Sequence, residues 1–508
     1  MYYIYTTYKK EYSLMALHKF TRKELDKIFQ NAVGNTLGDC DVNNVFAKTI
    51  KSPKITGIAG DVVEQSILGY PPDTDKKPDL IVDGIETEVK TTGIRRPKKN
   101  SRTKNKSNII YEAKEPMSIT AVSPESITDE EFETSSFWHK LEHLLLVYYH
   151  YDSLETVTAA EYAKFFIEGY HFHTFSDEDK EILKNDWLIV RNFIQYLKDT
   201  YEDPKAEYPR ISSELRKSLM LIDTAPKWPN SPRFRLKRTT VSTLVQKHFG
   251  DKFEKLDDTY LNFKELDIKL HNLTQRYKNK TVRELMKEFD IPPTKDGSAP
   301  KAISEQIIVK MFGGSVKKLS KIELFSKIGI VPKSIVQTTK SRRTEDMKFC
   351  QIDFEEWTDQ KIQFDESFIY NYFHEKQFLF IIFEEPSIKA PLLDNKFLGF
   401  KRLSMNDEII ENNIKPVWEQ VRYLINNDKL EETIYLDKNN EPIINKRSNT
   451  VRTSINFPKS TNNSFFIRGT GSKASKKPLV INGISMYYQQ LWLRGDVIVS
   501  MLKNTDFI

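Results

Sequence analysis

The sequence predicts a mixed α/β (α+β) protein with two tandem domains, each a central mixed sheet flanked by helices. The chain has 508 residues, whereas a single hydrophobic core stops growing at about 250–300 residues. Helical and strand-like apolar patterns alternate along the chain. The segments of the first half also recur, in the same order, in the second half. We therefore expect a first domain over residues 1–250, a charged linker over 251–275 that connects the halves with or without a helix, and a second domain over 276–508.

The composition is typical of a folded cytoplasmic protein. Hydrophobic residues make up 39% and aromatic residues 12% of the chain, which is enough to fill cores. The two cysteines, Cys40 and Cys350, cannot form a disulfide framework or a four-ligand zinc site. The sequence has no apolar run of about 18 residues and no signal-peptide pattern. We expect a cytoplasmic protein with no membrane partner.

The elements of the first half follow from local patterns. Thr21-Arg-Lys-Glu24 is a capping box that predicts the start of a helix. A second helix is expected over 60–68 and carries Glu64. Residues 79–92 predict a strand, a hairpin turn at Asp83-Gly84 and a second strand. Further elements are expected at 118–122 (strand), 144–149 (buried strand), 177–198 (helix) and 240–249 (helix).

The second half repeats this order. Residues 302–308 are similar to 61–67, and the apolar run 378–383 corresponds to 144–149. Residues 418–425 correspond to the helix around Trp187. The alignment also places Glu323 where the first half has Asp79, and Val331 where it has Glu88. Four such matches in one order favour a duplicated domain.

A group of carboxylates in the predicted hairpin is the strongest candidate for chemistry. Pro78-Asp79 is followed, after the turn, by Glu88-Val89-Lys90, and Glu64 lies upstream. Two carboxylates about 4 Å apart repel by roughly 4 kcal/mol at an effective dielectric of 20, so such a cluster is expected to bind a cation. Carboxylate oxygens are the ligands of hard cations such as Mg²⁺, which phosphodiester hydrolysis uses.

The same pattern also fits an amphipathic hairpin with solvated charges. The upstream Glu64, the hairpin context and a basic loop downstream favour a nuclease of the PD…ExK type. On the second strand Glu86 shares a face with Glu88 and Lys90. Glu88 is preferred as the metal ligand because it forms the ExK pair with Lys90, and Glu86 remains the alternative.

Two basic runs are candidates for contacts with DNA phosphates, with solvated loops as the alternative interpretation. They contain no acidic residue between their ends and would contribute affinity without sequence information. The residues proposed to bind DNA are Arg95, Arg96, Lys98 and Lys99 in the first run and Arg233, Arg235, Lys237 and Arg238 in the second.

These motifs resemble the MutH and Sau-type restriction endonucleases, which cut at GATC. The resemblance spans about residues 20–250, in the order of the family. It implies that Glu64, Asp79 and Glu88 bind or support a metal ion and that Lys90 and Lys140 assist hydrolysis. The matching stretches are 32–38, Gly60-Asp61 with Glu64, Lys77-Pro78-Asp79, Glu88-Val-Lys90-Thr91, 133–136 with His139-Lys140-Leu141, and 234–237 ending at His248-Phe249.

The resemblance also implies an organisation and a set of partners. Sau-type enzymes carry two MutH-like, PD-(D/E)xK-type domains, of which the first cuts and the second binds another copy of the site as an allosteric effector. The expected protein is therefore a Mg²⁺-dependent type II site-specific deoxyribonuclease that acts at GATC or a related site. Its partners would be two copies of the double-stranded target, a second protein chain in a DNA-induced dimer, and a cognate DNA methyltransferase that acts in the same system without binding to it.

Three departures from the family pattern accompany this resemblance. The spacing from Asp79 to Glu88 is two residues longer than expected, which leaves Glu86 as the alternative ligand. Residues 219–230 match the DNA-reading segment of the family poorly, which affects the expectation of GATC. The second copy has Val331 in place of Glu88 and His374 near the position of Lys140.

The second copy is therefore expected to be catalytically silent but to bind DNA. Its segment 468–477 is rich in glycine and basic residues and resembles the DNA-reading segment of the family. A flexible charged loop is the alternative interpretation. The residues expected to contact DNA are Arg468, Lys473 and Lys476.

Two other functions would use much of the same sequence. A mismatch-repair-type nickase would have the same catalytic residues and need an activating partner, whereas a non-catalytic DNA-binding protein would need only the basic surfaces. His139 and His143 have the spacing of a zinc helix, but no Glu follows His139 and the neighbouring residues are strand-like, so a structural role is expected.

Overall fold

The structure, a computed structural model, describes residues 18–71, 77–96, 111–153, 157–225, 230–338, 344–387, 390–445, 449–471, 476–503, 505 and 507–508. These residues form two compact units. Unit 1 consists of described residues within Met1–Ser153, Val157–Leu266 and Ser320–Gly329. Unit 2 consists of those within Asp267–Leu319 and Ile330–Ile508.

Up to residue 250 the chain alternates between strands and helices. The strands are β1 (Lys19–Phe20), β2 (Leu80–Val82), β3 (Ile85–Arg95), β4 (Glu112–Ala113), β5 (Met117–Ala121), β6 (Leu144–His150), β7 (Ile167–His173), β8 (Ile222–Ala225) and β9 (Arg233–Leu236). The helices are α1 (Arg22–Ala32), α2 (Lys48–Lys51), α3 (Ile58–Val62, continued by a π-helical turn over Val63–Ile67), α4 (Ser136–Glu142), α5 (Asp177–Thr200), α6 (Pro204–Glu207), α7 (Pro209–Leu215) and α8 (Arg238–His248).

The remaining residues add further elements. The helices are α9 (Phe263–Tyr277), α10 (Val282–Glu288), α11 (Ile303–Met311), α12 (Glu323–Ile328), α13 (Phe354–Thr358), α14 (Phe368–Glu375), α15 (Asp407–Ile409), α16 (Lys415–Asn426) and α17 (Gly495–Lys503). The strands are β10 (Ile330–Thr338), β11 (Met347–Gln351), β12 (Gln377–Glu385), β13 (Lys396–Leu403), β14 (Glu432–Ile434), β15 (Ile444–Asn445), β16 (Thr450–Val451), β17 (Thr453–Ile455), β18 (Phe465–Thr470), β19 (Leu479–Ile481), β20 (Ile484–Met486) and β21 (Tyr488–Leu493).

The main sheet of unit 1 is mixed, in the order β1-β2-β3-β6-β7, and β4 pairs with β3. β3 runs parallel to β6, whereas the pairs β2–β3 and β6–β7 are antiparallel. Strand β6 lies inside this sheet because its run Leu144-Leu-Leu-Val-Tyr is apolar and buried. A second, antiparallel sheet has the order β5-β9-β8. The predicted mixed sheet flanked by helices is therefore confirmed for unit 1.

The local predictions around the hairpin are also confirmed. The side chain of Thr21 accepts a hydrogen bond from the backbone N–H of Glu24, and the capping box is complete. Asp83 and Gly84 have φ angles of 47° and 87°, which are the left-handed values that a two-residue hairpin turn requires. The turn joins β2 to β3 in the register Val82↔Ile85.

Unit 2 contains a three-stranded mixed sheet, β10-β12-β13, and an antiparallel sheet, β11-β21-β18. Its hydrophobic core includes Phe378, Phe380 and Ile382 of β12 together with Trp418 of α16. Strands β10 and β12 are parallel, and β12 and β13 are antiparallel. These relations are the same as those of β3, β6 and β7 in unit 1.

The two antiparallel sheets share an irregularity. The pairing of β5 with β9 shifts between Ser118 and Thr120, and the pairing of β11 with β21 shifts between Lys348 and Cys350. In each sheet the strand in the centre is followed by a helix, α8 in unit 1 and α17 in unit 2. When the apolar run of β12 is aligned with that of β6, Val331 has the register of Glu88, since Val331 pairs with Phe378 and Glu88 with Leu144.

Three expectations differ from the structure. Glu323, aligned above with Asp79, begins helix α12 and belongs to unit 1, where its salt bridge to Lys327 one turn later supports helix rather than strand. The neighbours of His139 are helical, because the Ser135 side chain caps α4 by accepting from Trp138 N–H. The expected domain limits at residues 250 and 276 differ from the boundary between the units, which lies after Leu266, within helix α9.

In the described part of the chain, no helix has the length and apolar character that crossing a membrane would require.

Candidate active site

The β2–β3 hairpin brings Asp79 next to Glu88. Asp79 directly precedes β2, and its Oδ2 accepts a hydrogen bond of 2.9 Å from the backbone N–H of Val89. The carbonyl oxygen of Asp79 lies 2.9 Å from Nδ1 of His18. The antiparallel register therefore holds the first carboxylate of the motif beside the ExK strand.

Glu88 is buried and is bound by two lysines. Its side chain is 1% exposed, Oε1 lies 2.5 Å from Nζ of Lys90, and Lys140 Nζ lies 3.0 Å from Oε1 and 3.1 Å from Oε2. Lys140 is on α4, just before β6, which is the strand parallel to β3. A buried carboxylate needs such partners, because an unpaired charge away from water is very costly.

Burial and nearby negative charges raise the pKa values of the other two carboxylates, Asp79 and Glu64. Burial, followed by the nearby charge of Glu88, raises the pKa of Asp79 to about 6. Burial, followed by the charges of Asp79 and Asp61, raises the pKa of Glu64 to about 7. A cation placed among these groups would offset the repulsion that raises both pKa values.

The donor set fits a hard divalent cation that is only partly coordinated by protein. Among the described residues, no group of three or more His, Cys, Asp or Glu side chains lies close enough together to hold a metal ion. Glu64 is therefore not brought into one ligand set with Asp79 and Glu88. Two carboxylates are nevertheless sufficient for Mg²⁺, which typically keeps water ligands and binds substrate phosphates.

Glu86 and Glu88 lie in different environments. The Glu86 side chain is 53% exposed, and its Oε2 lies 3.8 Å from Nδ1 of the His139 ring. Glu88 has no such access to water and contacts both lysines. The geometry favours Glu88 as the ligand.

The first basic run is described only at its start. Arg95 forms an ion pair of 3.0 Å with Glu112 and is 37% exposed, and the guanidinium of Arg96 lies 5.9 Å from the ring centre of Tyr111. Lys98 and Lys99 lie outside the described residues. Arg95 therefore already has an anionic partner within the protein.

The second basic run contains a correction. Arg233 is exposed, and Arg235 binds both carboxylate oxygens of Asp223, at 2.7 and 3.0 Å. Lys237 and Arg238, which were expected to bind DNA, are only 4% and 7% exposed. The Lys237 ammonium donates to the carbonyl oxygen of Leu219, and Arg238 lies 4.0 Å from Glu112. Both cations are buried within the protein, so neither is available to a phosphate in this structure.

Unit 2 has a related arrangement that lacks the carboxylate. Lys333 has the register of Lys90, since it pairs with Phe380 as Lys90 pairs with Leu146. Its ammonium donates to the carbonyl oxygens of Lys348 and Phe349, at 2.9 and 3.4 Å. The hydroxyl of Tyr372 also donates to the Phe349 carbonyl, at 3.4 Å. A backbone carbonyl thus binds the two groups of unit 2 as Glu88 binds the two lysines of unit 1.

Counted from the helix cap, Tyr372 rather than His374 corresponds to Lys140. Ser135 caps α4 and Ser367 caps α14 in the same way, and the fifth residue after each serine is Lys140 or Tyr372. Counting back from the apolar run of each strand instead gives His374, the residue expected near the position of Lys140. The two counts differ because the stretch from the capping serine to the strand is longer in unit 2.

Arg468, expected to contact DNA, lies on β18 and already interacts with other side chains of unit 2. Its guanidinium forms a 2.7 Å ion pair with Asp346 and lies 4.8 and 5.1 Å from the ring centres of Phe466 and Trp492. Lys476 is exposed, and Lys473 lies outside the described residues. A DNA phosphate at Arg468 would have to compete with Asp346.

Some residues that shape these sites were not identified from the sequence. His18 and Asp346 contact the candidate residues Asp79 and Arg468, which are 61 and 122 positions away. Asp186, on α5, is fully buried and accepts three backbone hydrogen bonds. An acidic residue at a buried position of a strongly periodic helix is the one signal that could have indicated Asp186.

Comparisons with known proteins agree with the resemblance stated above. The model of the MutH DNA mismatch repair enzyme family matches residues 68–186, a range that contains Asp79, Glu88, Lys90 and Lys140. The type II restriction enzyme Sau3AI of Staphylococcus aureus is 25% identical over 525 residues, which cover 95% of this chain and 99% of that enzyme. The predicted similarity to MutH and Sau-type enzymes is confirmed.

Proposed function

We propose that this chain, which is similar to a type II restriction enzyme over nearly its whole length, is itself a type II site-specific endonuclease that hydrolyses double-stranded DNA. The observation that carries the proposal is the buried Glu88, bound by Lys90 and Lys140 beside Asp79. The hairpin and α4 bring together two carboxylates and two ammonium groups, which provide the charges that phosphodiester hydrolysis requires.

Asp79 and Glu88 would hold Mg²⁺, with Glu64 supporting them through its charge. The bound ion would lower the pKa of a water molecule and neutralise charge on the scissile phosphate. Lys90 projects from the same strand face as Glu88, where its ammonium would orient the attacking water. Lys140 approaches Glu88 from α4 and would contact the scissile phosphate, stabilising the charge that develops there.

The target is proposed to be GATC or a related sequence. This part rests on the similarity to Sau-type enzymes, while residues 219–230 depart from the family pattern. On the protein side, exposed Arg233 and the start of the basic run at Arg95 and Arg96 would contact the DNA backbone.

Unit 2 is proposed to be a silent copy that binds a second target site and stimulates cleavage. Its strand pairings and the shared bulge support a duplication of unit 1. It lacks a carboxylate at Val331, so the cation site of unit 1 has no counterpart there. DNA would bind at Arg468 and Lys476, stabilise one state of the protein and favour a DNA-induced dimer.

The first experiment uses the purified full-length chain and a plasmid of known sequence. With Mg²⁺ and no other protein, we expect cleavage of both strands at one short sequence, which mapping of the ends identifies. Asp79→Ala and Lys90→Ala should abolish cleavage. Cleavage of a single strand, or cleavage only with an added partner, would instead indicate a nickase. Binding without cleavage would indicate a non-catalytic DNA-binding protein.

The effector role is tested with an added oligonucleotide that contains the mapped site. We expect the oligonucleotide to stimulate plasmid cleavage, and Arg468→Ala to weaken the stimulation while leaving basal cleavage unchanged. Deletion of residues 265–508 would not be a clean test, because Ser320–Gly329 belongs to unit 1. Val331→Glu in an Asp79→Ala background should not restore cleavage. The substitution gives unit 2 a single carboxylate, whereas the proposed metal site of unit 1 uses two.

A further inference from the structure

Two oppositely charged side chains are buried behind the antiparallel sheet of unit 1. Asp186, on α5, is 0% exposed, and Lys237, directly after β9, is 4% exposed. The proposed hydrolysis uses neither residue, and both lie outside the β2–β3 hairpin. Charged residues are almost never fully buried unless they are paired, so their role requires an explanation.

Asp186 binds the backbone that leads into β8. Its Oδ1 accepts the N–H of Met220 at 2.8 Å, and its Oδ2 accepts the N–H groups of Leu221 and Ile222 at 2.7 and 3.2 Å. Three successive N–H groups thus point at one carboxylate. This arrangement fixes both the position and the direction of the chain where β8 begins.

Lys237 binds carbonyl groups of the same segment. Its ammonium donates to the carbonyl oxygen of Leu219, and its backbone N–H donates to the carbonyl of Leu221 at 2.9 Å. The hydroxyl of Thr240 donates to the Leu221 carbonyl as well, at 3.0 Å. Residues 219–222 are therefore connected to α5 through their N–H groups and to the start of α8 through their carbonyl groups.

This arrangement is poorly explained as a source of stability alone. Apolar residues of similar volume often stabilise a core as well as a buried ion pair does, because desolvation of the charges is costly. A carboxylate and an ammonium do, however, impose hydrogen-bond directions that apolar side chains cannot impose. The pair is better suited to placing a backbone segment than to filling space.

The segment placed in this way belongs to the sheet that carries the candidate DNA contacts. In β8 and β9, Asp223 lies opposite Arg235, and Ala225 lies opposite the exposed Arg233. The hydroxyl of Thr224 donates to the carbonyl of Ile211 in α7 at 2.8 Å, so the end of β8 is attached as well. The position of the Arg233 side chain therefore depends on the segment 219–222.

We propose that Asp186 and Lys237 are positioning residues for DNA recognition, which place strands β8 and β9 and thereby Arg233 against the double-stranded target. This inference rests on the proposed endonuclease function and assigns Lys237 a role other than contact with phosphate. Neither residue touches DNA or the reacting atoms. Their loss should weaken specific binding much more than it slows the chemical step.

The test compares two variants of the full-length protein, Asp186→Asn and Lys237→Met. The Kd for a duplex with the mapped target site is measured with Ca²⁺ replacing Mg²⁺, and the single-turnover rate is measured with Mg²⁺ at saturating protein. We expect Kd to rise about tenfold or more, since small displacements of a binding group are costly. The single-turnover rate should change by less than about threefold.

Leu197→Ala is the matched control. Leu197 is a fully buried apolar residue of the same helix, α5, so its truncation lowers stability without removing a hydrogen bond to residues 219–222. The control should lower Tm but leave Kd unchanged. If Asp186→Asn fails to fold, Lys237→Met decides the question by the same two measurements.

Four results distinguish the possibilities. An equal rise of Kd in Leu197→Ala and in the two variants would overturn the positioning role, and so would a loss of rate without a loss of binding. A rise of Kd confined to Asp186→Asn and Lys237→Met would support the positioning role. If the unmodified protein neither binds nor cuts the duplex, the proposed endonuclease function fails first.

Discussion

The ammonium of Lys140 lies 3.0 and 3.1 Å from the two carboxylate oxygens of Glu88, although the residues are 52 positions apart in the chain. Parallel pairing of β3 with β6 produces this contact. Glu88 pairs with Leu144, the first residue of β6, and α4, which carries Lys140, comes just before that residue. Lys90 approaches the same carboxylate from its own strand. Glu88 is thus the centre of the charged cluster, and its environment differs sharply from that of Glu86.

The first prediction separates these two glutamates. Glu88→Gln removes the charge that both lysines neutralise, so cleavage should fall by about 10³-fold or more. Glu86→Gln changes an exposed group and should alter the rate by no more than about threefold. Single-turnover cleavage of the mapped site measures both effects. If Glu86→Gln lowers the cleavage rate more than Glu88→Gln does, Glu86 rather than Glu88 is the metal ligand.

The second prediction concerns binding of Mg²⁺ without DNA. Burial and the charge of Glu88 raise the pKa of Asp79 to about 6, so a bound cation should relieve unfavourable interactions in the folded state. Saturating Mg²⁺ should stabilise the protein by about 1–3 kcal/mol, as expected for a ligand that binds only the folded state. Calorimetry at pH 7.5 measures the accompanying rise in Tm. Asp79→Asn should remove most of the rise, and a full rise in this variant would exclude Asp79 as a ligand.

The third prediction concerns acid stability and His173. Burial and the neighbouring His171 lower the pKa of His173 to about 3. His171, Lys327, Lys247 and Glu323 are the charged or titratable groups that act on it. Because the folded pKa lies below the unfolded value of about 6.5, the unfolded state binds more protons as the pH falls. The stability from neutral His173 is present above about pH 6.5 and is lost as the pH falls toward 3.

Unfolding in urea at pH 7 and pH 5 measures this loss. Between these values His173→Phe should lose about 1–2 kcal/mol less stability than the unmodified protein. Leu197→Ala, which truncates a buried side chain without removing a titratable group, is the control and should keep the original pH dependence. Identical pH dependence in all three proteins would contradict the prediction.

The fourth prediction concerns the buried ion pairs of α12 in unit 1. Lys327 is 5% exposed and lies 2.7 Å from both Asp179 and Glu323. Burial alone would lower the pKa of Lys327, but these two carboxylates more than offset that effect and raise it. Lys327→Met leaves both carboxylates without this cation and should cost about 3–5 kcal/mol of unfolding free energy.

A neighbouring lysine provides the control for this substitution. Lys321 is 38% exposed in its ion pair with Asp251, so Lys321→Met should cost no more than about 1 kcal/mol. Both values can be measured by chemical denaturation. Equal losses would mean that the burial of Lys327 does not determine its contribution.

Local patterns were sufficient for much of the fold and for the composition of the candidate site. The capping box at Thr21, the Asp83-Gly84 turn and the apolar run of β6 each determine their element through interactions within a few residues. The choice of Asp79, Glu88 and Lys90 also follows from one hairpin, in which the spacing along the chain sets the spacing in space. Such features can be predicted because the partners are close in sequence.

The tertiary structure decided the features that depend on distant partners. The ammonium of Lys140 lies at Glu88. Lys237 and Arg238, which the basic sequence run suggested as DNA contacts, are buried. Glu323 belongs to a helix of unit 1 rather than to a strand of the second repeat. A charged residue looks the same in sequence whether it faces water or a buried partner. Only the packing of segments far apart in the chain determines which of these environments it has, and therefore whether its charge is available to DNA.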